Sequence, residues 1–196
     1  MRVTGGTARG CTLSSPKSND ISIRPTCDRV REALFSILAG QVANAVVLDL
    51  FAGTGALGIE ALSRGAAFAL FADQSLAAGK IIESNLKKCF PQPRAGFLRL
   101  NLATATSLIP LLAACPNGAR FDLIFMDPPY KKNLAARLLP MVEQDGLLAP
   151  KARVIVEEHQ SIELASQVGS LHLTDQRRYG ETKLWLYTQQ PQADHG

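Results

Sequence analysis

The stretch VVLDLFAGTGALG, residues 46–58, decides the fold of this 196-residue chain. Its first five residues form a mostly apolar run, which is typical of a buried β-strand. The glycines that follow, Gly53, Gly55 and Gly58, let the backbone turn sharply and let a ligand approach the main chain without a Cβ in the way. They also match the dinucleotide pattern G-x-G-x-x-G, which alone is weak evidence for a function. A strand, a glycine-rich turn and a helix predict the first unit of a parallel sheet.

The rest of the chain repeats this alternation of strand and helix. Short buried strands separated by helices favour a doubly wound sheet. The predicted fold is therefore α/β, with a mostly parallel, seven-stranded, Rossmann-like sheet whose last two strands form an antiparallel pair. The predicted strands are residues 46–50, 68–72, 96–100, 123–126, 154–156, 171–173 and 184–187, and the predicted helices are residues 56–64, 75–89, 104–114 and 133–143.

The chain before the first strand is polar and basic. Residues 1–25 predict a short hairpin followed by an irregular arm, and Thr26 or Asp28 can cap a helix that ends at Gly40. Residues 1–32 carry six basic and three acidic side chains, so they hold most of the formal charge of +4. Charge alone fits either a solvated face or an anionic partner. Residues 189–196 form a polar tail that we expect to fray.

Composition excludes several classes of protein. With 46% hydrophobic and 19% charged residues, the chain is neither disordered nor fibrous. No apolar run approaches the roughly 18 residues of a membrane span, and the start lacks the apolar core of a signal peptide, so we expect a cytoplasmic protein. Its four cysteines and three histidines are scattered. We therefore predict no metal site and no disulfide.

Polar side chains follow the first three predicted strands, where ligands of doubly wound sheets bind. Asp49 ends the first strand and suits a cationic ligand better than a pyrophosphate. Asp73 follows the second strand, where a carboxylate can accept hydrogen bonds from both ribose hydroxyls of a nucleoside. Asn101 follows the third strand, where its amide can contact an adenine edge. Asp73 and Asn101 can equally cap the helices that come after them.

The fourth strand ends in Asp127-Pro128-Pro129-Tyr130. Two prolines cannot continue a strand ladder and fix a stiff extended turn. Such a turn presents a carboxylate, a carbonyl and an aromatic ring, which together fit a planar amine. The other interpretation is a rigid loop or a ligand for another protein.

At these residues the sequence resembles a class I methyltransferase that uses S-adenosylmethionine. The turn is similar to the [DN]PP[YF] signature of enzymes that methylate amines. A wider resemblance, over about residues 1–187, is to the RsmD family. It rests on residues 24–26, 28–35, 48–65, 146–150 and 179–182. Asn101 departs from the family, where Asp is common, and Asp73 stands where Glu is frequent.

The resemblance implies methylation of the exocyclic N2 of a guanine in 16S ribosomal RNA, guanine 966 in the usual RNA numbering. The substrate would be the small subunit or an assembly intermediate, and we expect a monomer with its methyltransferase domain at residues 26–188. The implied catalytic residues are Asp127, Pro128, Pro129 and Tyr130, the RNA-binding residues are Arg9, Arg24, Arg29 and Arg31, and the cofactor-binding residues are Asp49, Phe51, Ala52, Gly53, Thr54, Gly55, Asp73, Gln74, Asn101 and Leu102.

Other functions remain open from the sequence. The same turn serves methyltransferases of adenine N6 in DNA and of glutamine N5 in proteins. The hypothesis of an NAD-dependent oxidoreductase is supported by the glycine pattern alone, and it gives the Asp-Pro-Pro-Tyr turn no role. A non-catalytic RNA-binding module would not need both motifs intact.

Overall fold

The computed structural model describes residues 1–15, 28–130 and 132–190. Its helices and strands follow the predicted alternation, with helices on both faces of one sheet. The helices are α1 (Asp28–Ile37), α2 (Ala56–Ser63), α3 (Leu76–Cys89), α4 (Ile109–Ala113) and α5 (Leu134–Gln144). The strands are β1 (Val46–Leu50), β2 (Phe68–Asp73), β3 (Ala95–Arg99), β4 (Phe121–Met126), β5 (Leu148–His159), β6 (Gln167–Val168), β7 (Leu171–Tyr179) and β8 (Thr182–Gln189).

The sheet confirms the predicted α/β class and adds one short strand to the seven expected. Its order is β3-β2-β1-β4-β5-β8-β7-β6. The first five strands in this order are parallel, and β8, β7 and β6 run antiparallel to their neighbours. The additional strand, β6, has only two residues. Gln189, expected in the frayed tail, pairs with Leu171 at the end of β8.

The register of β1 brings three strand ends to one edge of the sheet. Leu50 pairs with Ala72 of β2 on one side and with Met126 of β4 on the other. The chain therefore leaves all three strands at the same level, which is the edge where such sheets bind ligands. We call this the carboxyl edge.

Helix α1 covers one face of the sheet with its apolar stripe. Leu34 and Phe35 are each 1% exposed, and the Phe35 ring lies 5.6 Å from the Phe125 ring. Trp185, 1% exposed, lies in the core on the other face. One predicted helix is mostly wrong: residues 104–108 form an irregular loop, and α4 has only five residues. Pro110 restricts this segment because it cannot donate a backbone hydrogen bond within a helix.

The N-terminal hairpin packs on α2 through a buried charge cluster. Glu60 and Arg31 are both 0% exposed. Glu60 accepts hydrogen bonds from the backbone and hydroxyl of Thr4, at 2.7 Å each, and from the Gly5 amide at 2.8 Å. It also accepts from Arg31 Nε at 3.4 Å and from Arg64 Nε at 2.8 Å. A buried carboxylate is stable here because several donors compensate for its lost hydration.

Cysteine pairing differs from the expectation. Cys11 and Cys89 form a disulfide, with their Cα atoms 6.0 Å apart, while Cys115 is free and buried. The two partners are 78 positions apart in the sequence, and only the docking of the hairpin beside the end of α3 brings them together. The prediction that no disulfide forms is therefore wrong in this structure.

Two features are absent from the described residues. No helix there has the length and apolar character that crossing a membrane requires. No group of three or more metal-ligating side chains occurs among the same residues.

Candidate active site at the carboxyl edge

The glycine-rich loop between β1 and α2 turns through three left-handed residues. Phe51, Gly53 and Gly55 have φ of 60°, 54° and 77°. Phe51 is the unusual one, because a residue with a Cβ rarely adopts this conformation and such strain concentrates at functional sites. The Ala52 amide donates to the Ala72 carbonyl at 3.1 Å, which fastens the loop to the end of β2. Thr54, which is 4% exposed, faces inward.

Two strand-end carboxylates support this loop. Asp49 is 2% exposed and accepts the Gly58 amide at 2.9 Å. Asp73 accepts the Gly53 amide at 3.0 Å and the Ser75 amide at 2.8 Å. The structure thus brings both predicted residues to the loop. It also corrects the expectation for Asp49, since a carboxylate buried against α2 positions the loop and does not face an open cleft.

Burial makes Asp49 a titrating group near neutral pH. Desolvation raises its pKa to about 7, the Gly58 hydrogen bond opposes the shift, and the charge of Asp73 adds to it. The folded state therefore holds a proton between pH of about 4 and 7 that the unfolded state releases. Stability must fall as pH rises through this window and stay level above it, because the folded state binds more protons there.

Replacement of Asp49 tests this pH dependence. We expect the free energy of unfolding of the wild type to fall with pH between 5 and 7 by roughly 1 kcal/mol per pH unit more than that of Asp49→Asn. Asparagine keeps an oxygen for the Gly58 amide but cannot titrate. Urea unfolding at several pH values measures the difference, and parallel curves for the two proteins would contradict the assignment.

The loop after β3 is held by α5, which the sequence did not indicate. Arg137 donates to the Ala105 carbonyl at 2.8 Å and also to the Leu102 carbonyl. Asn101 is exposed and accepts the Ala103 amide at 3.1 Å, as a local turn residue. Leu102 as a whole is only 2% exposed, and its carbonyl is already bonded to Arg137. Gln74, after β2, is exposed.

The Asp-Pro-Pro-Tyr turn leaves β4 beside the glycine-rich loop. Pro128 is buried, Pro129 is exposed, and Asp127 and Tyr130 are partly exposed. The Tyr130 hydroxyl donates to Glu157 Oε1 at 3.3 Å and lies 3.0 Å from Thr182 Oγ1. Desolvation, together with the nearby carboxylates, raises the pKa of Tyr130 well above its usual value, so the phenol stays protonated. These contacts of its hydroxyl hold the Tyr130 ring in place at the end of the turn.

Three residues around Tyr130 were not predicted as site residues. Residues 157–159 end the 12-residue strand β5, and Glu157 is only 7% exposed. The His159 ring lies 5.9 Å from the Tyr130 ring in an edge-to-face arrangement. Thr182 reaches the site because β8 returns antiparallel beside β5, and no local signal in the sequence indicates that pairing.

The predicted RNA-binding arginines lie in different surroundings. Arg29 is exposed in the first turn of α1. Arg9 is exposed near the tip of the hairpin, which the Thr7 amide attaches to Ser63, the last residue of α2. Arg31 is fully buried and bonded to Glu60, Asp28 and the Arg2 carbonyl, so the prediction that it contacts phosphate is wrong. Arg24 lies outside the described residues.

Comparisons with known proteins agree over nearly the whole chain. A family model described as "Conserved hypothetical protein 95" matches residues 1–188. "Ribosomal RNA small subunit methyltransferase D" of Escherichia coli K12 is 34% identical over 194 residues, covering 99% of this chain and 92% of that protein. "Putative rRNA methyltransferase YlbH" of Bacillus subtilis is 35% identical, covering 95% and 98%.

A solved structure is similarly close. The Escherichia coli protein described as "Putative methyltransferase yhhF" superposes with a TM-score of 0.79 at 32% identity, covering 98% of this chain and 99% of its own. The fold is that of a class I methyltransferase. With the family model matching almost every residue, the chain belongs to the RsmD family.

Proposed function

We propose that this protein transfers a methyl group from S-adenosylmethionine to the exocyclic N2 of a guanine in 16S ribosomal RNA. One observation carries the proposal: the pairing of Leu50 with Met126 sets the glycine-rich loop and the Asp-Pro-Pro-Tyr turn side by side. A loop that suits a nucleoside cofactor and a turn that suits a planar amine thus share one edge. Methyl transfer requires these two ligands to meet.

The residues of the loop fit the cofactor. Gly53 is partly exposed and offers backbone without a side chain at a strand end, while Gly55 is buried against the core and shapes the turn. The partly exposed Asp73 carboxylate has acceptor capacity beyond its two amide partners for ribose hydroxyls. We assign Asn101, which is exposed after β3, to the adenine, and Gln74 and Phe51 to the ribose. The cofactor supplies an electrophilic methyl group on a sulfonium.

Asp127 and the Pro128 carbonyl act on the nucleophile. The guanine N2 lone pair is delocalised into the ring, so the free amine is a poor nucleophile. Hydrogen bonds from its two N–H groups to these acceptors bias the nitrogen towards a tetrahedral geometry and aim the lone pair. Methyl transfer would break the carbon–sulfur bond and release S-adenosylhomocysteine, and the cationic nitrogen would then lose its proton to water. Positioning is therefore the main contribution of the turn.

Tyr130 holds the plane of the base. Its hydroxyl is fixed by Glu157 and Thr182, so the ring is oriented before RNA arrives. Stacking of a base on such a ring contributes about 1–3 kcal/mol. The target must leave its own stack to reach this ring, and an unpaired base does so at lower cost than a paired one.

A change in the glycine-rich loop tests cofactor binding. Gly53→Val should abolish measurable binding of S-adenosylmethionine in calorimetry, because a β-branched residue is strained at φ of 54° and its side chain occupies the approach to the loop. Gly40→Val is the matched control, since Gly40 also has a positive φ but lies outside the site with open space around its Cα. Retained affinity in Gly53→Val would contradict the assignment.

Salt dependence tests the contribution of Arg29. We expect RNA affinity to fall steeply with salt, and Arg29→Gln to reduce the slope of log K against log salt by about 0.7–0.9, the value for one phosphate contact. The salt slope of Arg9→Gln tests in the same way whether the hairpin tip contacts a phosphate. Arg120→Gln is the control, because Arg120 is exposed just before β4, at the opposite edge of the sheet. If the RNA affinity of the wild type did not change with salt, the basic residues of segment 1–32 would make no phosphate contacts.

The decisive experiment identifies the methylated nucleoside. Small ribosomal subunits from cells lacking this activity are incubated with the protein and methyl-labelled S-adenosylmethionine, and the RNA is then digested. Labelled N2-methylguanosine is the expected product. Label in N6-methyladenosine, or none in RNA while cofactor binding is intact, would contradict the guanine assignment and direct attention to DNA or protein glutamine.

A further inference from the structure

A row of side chains crosses three strands beside Tyr130. His159 of β5 pairs with Thr182 of β8, and Thr182 pairs with Tyr179 of β7. Directly paired residues of antiparallel strands project from the same face of a sheet. The Tyr130 hydroxyl contacts Thr182 and the Tyr130 ring contacts His159, so this face is the one that Tyr130 meets. We call His159, Thr182 and Tyr179 the edge row.

The edge row is accessible, unlike the aromatic residues of the core. His159, Thr182 and Tyr179 are all partly exposed. Trp185 and Tyr187, on the opposite face of β8, are 1% and 0% exposed. The His159 ring is also oriented, because its Nδ1 lies 2.7 Å from Ser161 Oγ. Both rings are therefore partly accessible on the surface that continues outward from Tyr130, and Tyr179 also packs against the core beneath it.

A cationic side chain continues the same face. Arg177 lies two residues before Tyr179 in β7 and pairs with Leu184, so it projects from the face that holds the edge row. Its side chain is 55% exposed, with Nε 3.0 Å from Asp175 Oδ2. The outer amines of a guanidinium can contact a phosphate while Nε keeps its carboxylate partner.

We propose that the edge row binds the nucleotides that flank the target base. In this arrangement one neighbour stacks on His159 and another on Tyr179, while the target stacks on Tyr130. When a base is extruded, its two neighbours lose the stacking contact that they made with it. Aromatic rings of the protein can replace that contact. The proposal rests on the proposed function and names the RNA that fits this surface: an unpaired segment of at least three nucleotides, with the target inside it.

Kinetics of ring-removing variants test the edge row. With saturating S-adenosylmethionine and unmethylated small subunits as substrate, His159→Ala and Tyr179→Ala should each raise KM for RNA about tenfold. Tyr179→Ala should keep the kcat of the wild type, and both variants should keep its affinity for S-adenosylmethionine. Tyr179→Phe keeps the ring and should keep the wild-type KM. His172→Ala is the control, because His172 lies on β7 at the end away from the carboxyl edge.

The salt dependence of KM for RNA distinguishes a stacking contact from a charge contact in the same assay. Tyr179→Ala removes no charge, so its salt slope should equal that of the wild type, whereas Arg177→Gln should lower the slope by about 0.7–0.9. A KM for Tyr179→Ala equal to that of His172→Ala would overturn the edge row while leaving the proposed function intact. A wild type that transfers no methyl group to ribosomal RNA would instead contradict the proposed function.

Crosslinking covers the case in which a variant does not fold. Wild-type protein is irradiated with RNA that carries 4-thiouridine on either side of the target, and the crosslinked peptides are identified. Peptides that contain His159 or Tyr179 are expected. Crosslinks confined to other parts of the chain would overturn the proposal.

Discussion

Asp127→Ala is expected to lower kcat by about 1,000-fold while the affinity for S-adenosylmethionine stays within about twofold of the wild type. In the proposed mechanism, alanine removes the carboxylate that accepts an N–H from the target amine, so the nitrogen attacks from its flat, delocalised form. The glycine-rich loop is held by Asp49 and Asp73, so cofactor binding does not depend on Asp127. Single-turnover kinetics and calorimetry measure the two quantities separately.

The same strand supplies a control for this prediction. Asp122, near the start of β4, accepts the Val46 amide at 2.8 Å and lies at the opposite edge of the sheet. Asp122→Ala should therefore keep kcat near that of the wild type. Asp127→Asn retains one acceptor oxygen and should fall between Asp127→Ala and the wild type. Substantial turnover by Asp127→Ala would show that the proposed positioning of the amine is wrong.

Glu60→Ala is expected to lower the free energy of unfolding by about 3–5 kcal/mol, the range for breaking a buried ion pair by removing one partner. The change leaves Arg31 charged and fully buried, with fewer acceptors, and it frees the amides of Thr4 and Gly5 that attach the hairpin to α2. Urea unfolding measures the loss.

An exposed glutamate gives the contrast for Glu60. Glu83 pairs with Lys87 at 2.6 Å, and the two side chains are 64% and 72% exposed. Because water screens such a pair, Glu83→Ala should change the free energy of unfolding far less than Glu60→Ala does. Equal effects of the two substitutions would contradict the role given to burial. A double change of Glu60→Leu with Arg31→Met should lose less stability than Glu60→Ala alone, because no unpaired charge stays buried.

Local patterns in the sequence were sufficient for most of the fold. Strand periodicity and the glycine-rich turn depend on neighbouring residues, so every strand except β6 and four of the five helices could be predicted, with shifted ends. The strand-end rule then placed Asp49, Asp73 and Asp127 at one edge, because parallel strands finish together there. The same logic failed at residues 104–108, where contacts from α5 hold an irregular loop that the helical pattern did not reveal.

Contacts between distant residues required the tertiary structure. Tyr130 meets Glu157 and Thr182 only because β8 returns antiparallel beside β5 in one particular register. Cys11 meets Cys89 only because the hairpin docks next to α3. Burial likewise determined which arginines are available to RNA. Arg29 and Arg31 are two positions apart on α1, but Arg29 is exposed to water and Arg31 is buried against Glu60. The sequence by itself determined which side chains of β1, β2 and β4 reach the carboxyl edge, since that follows from where each of these parallel strands ends. The packing of helices and the strand register decided which other side chains join them and which of them touch, because these depend on the whole chain at once.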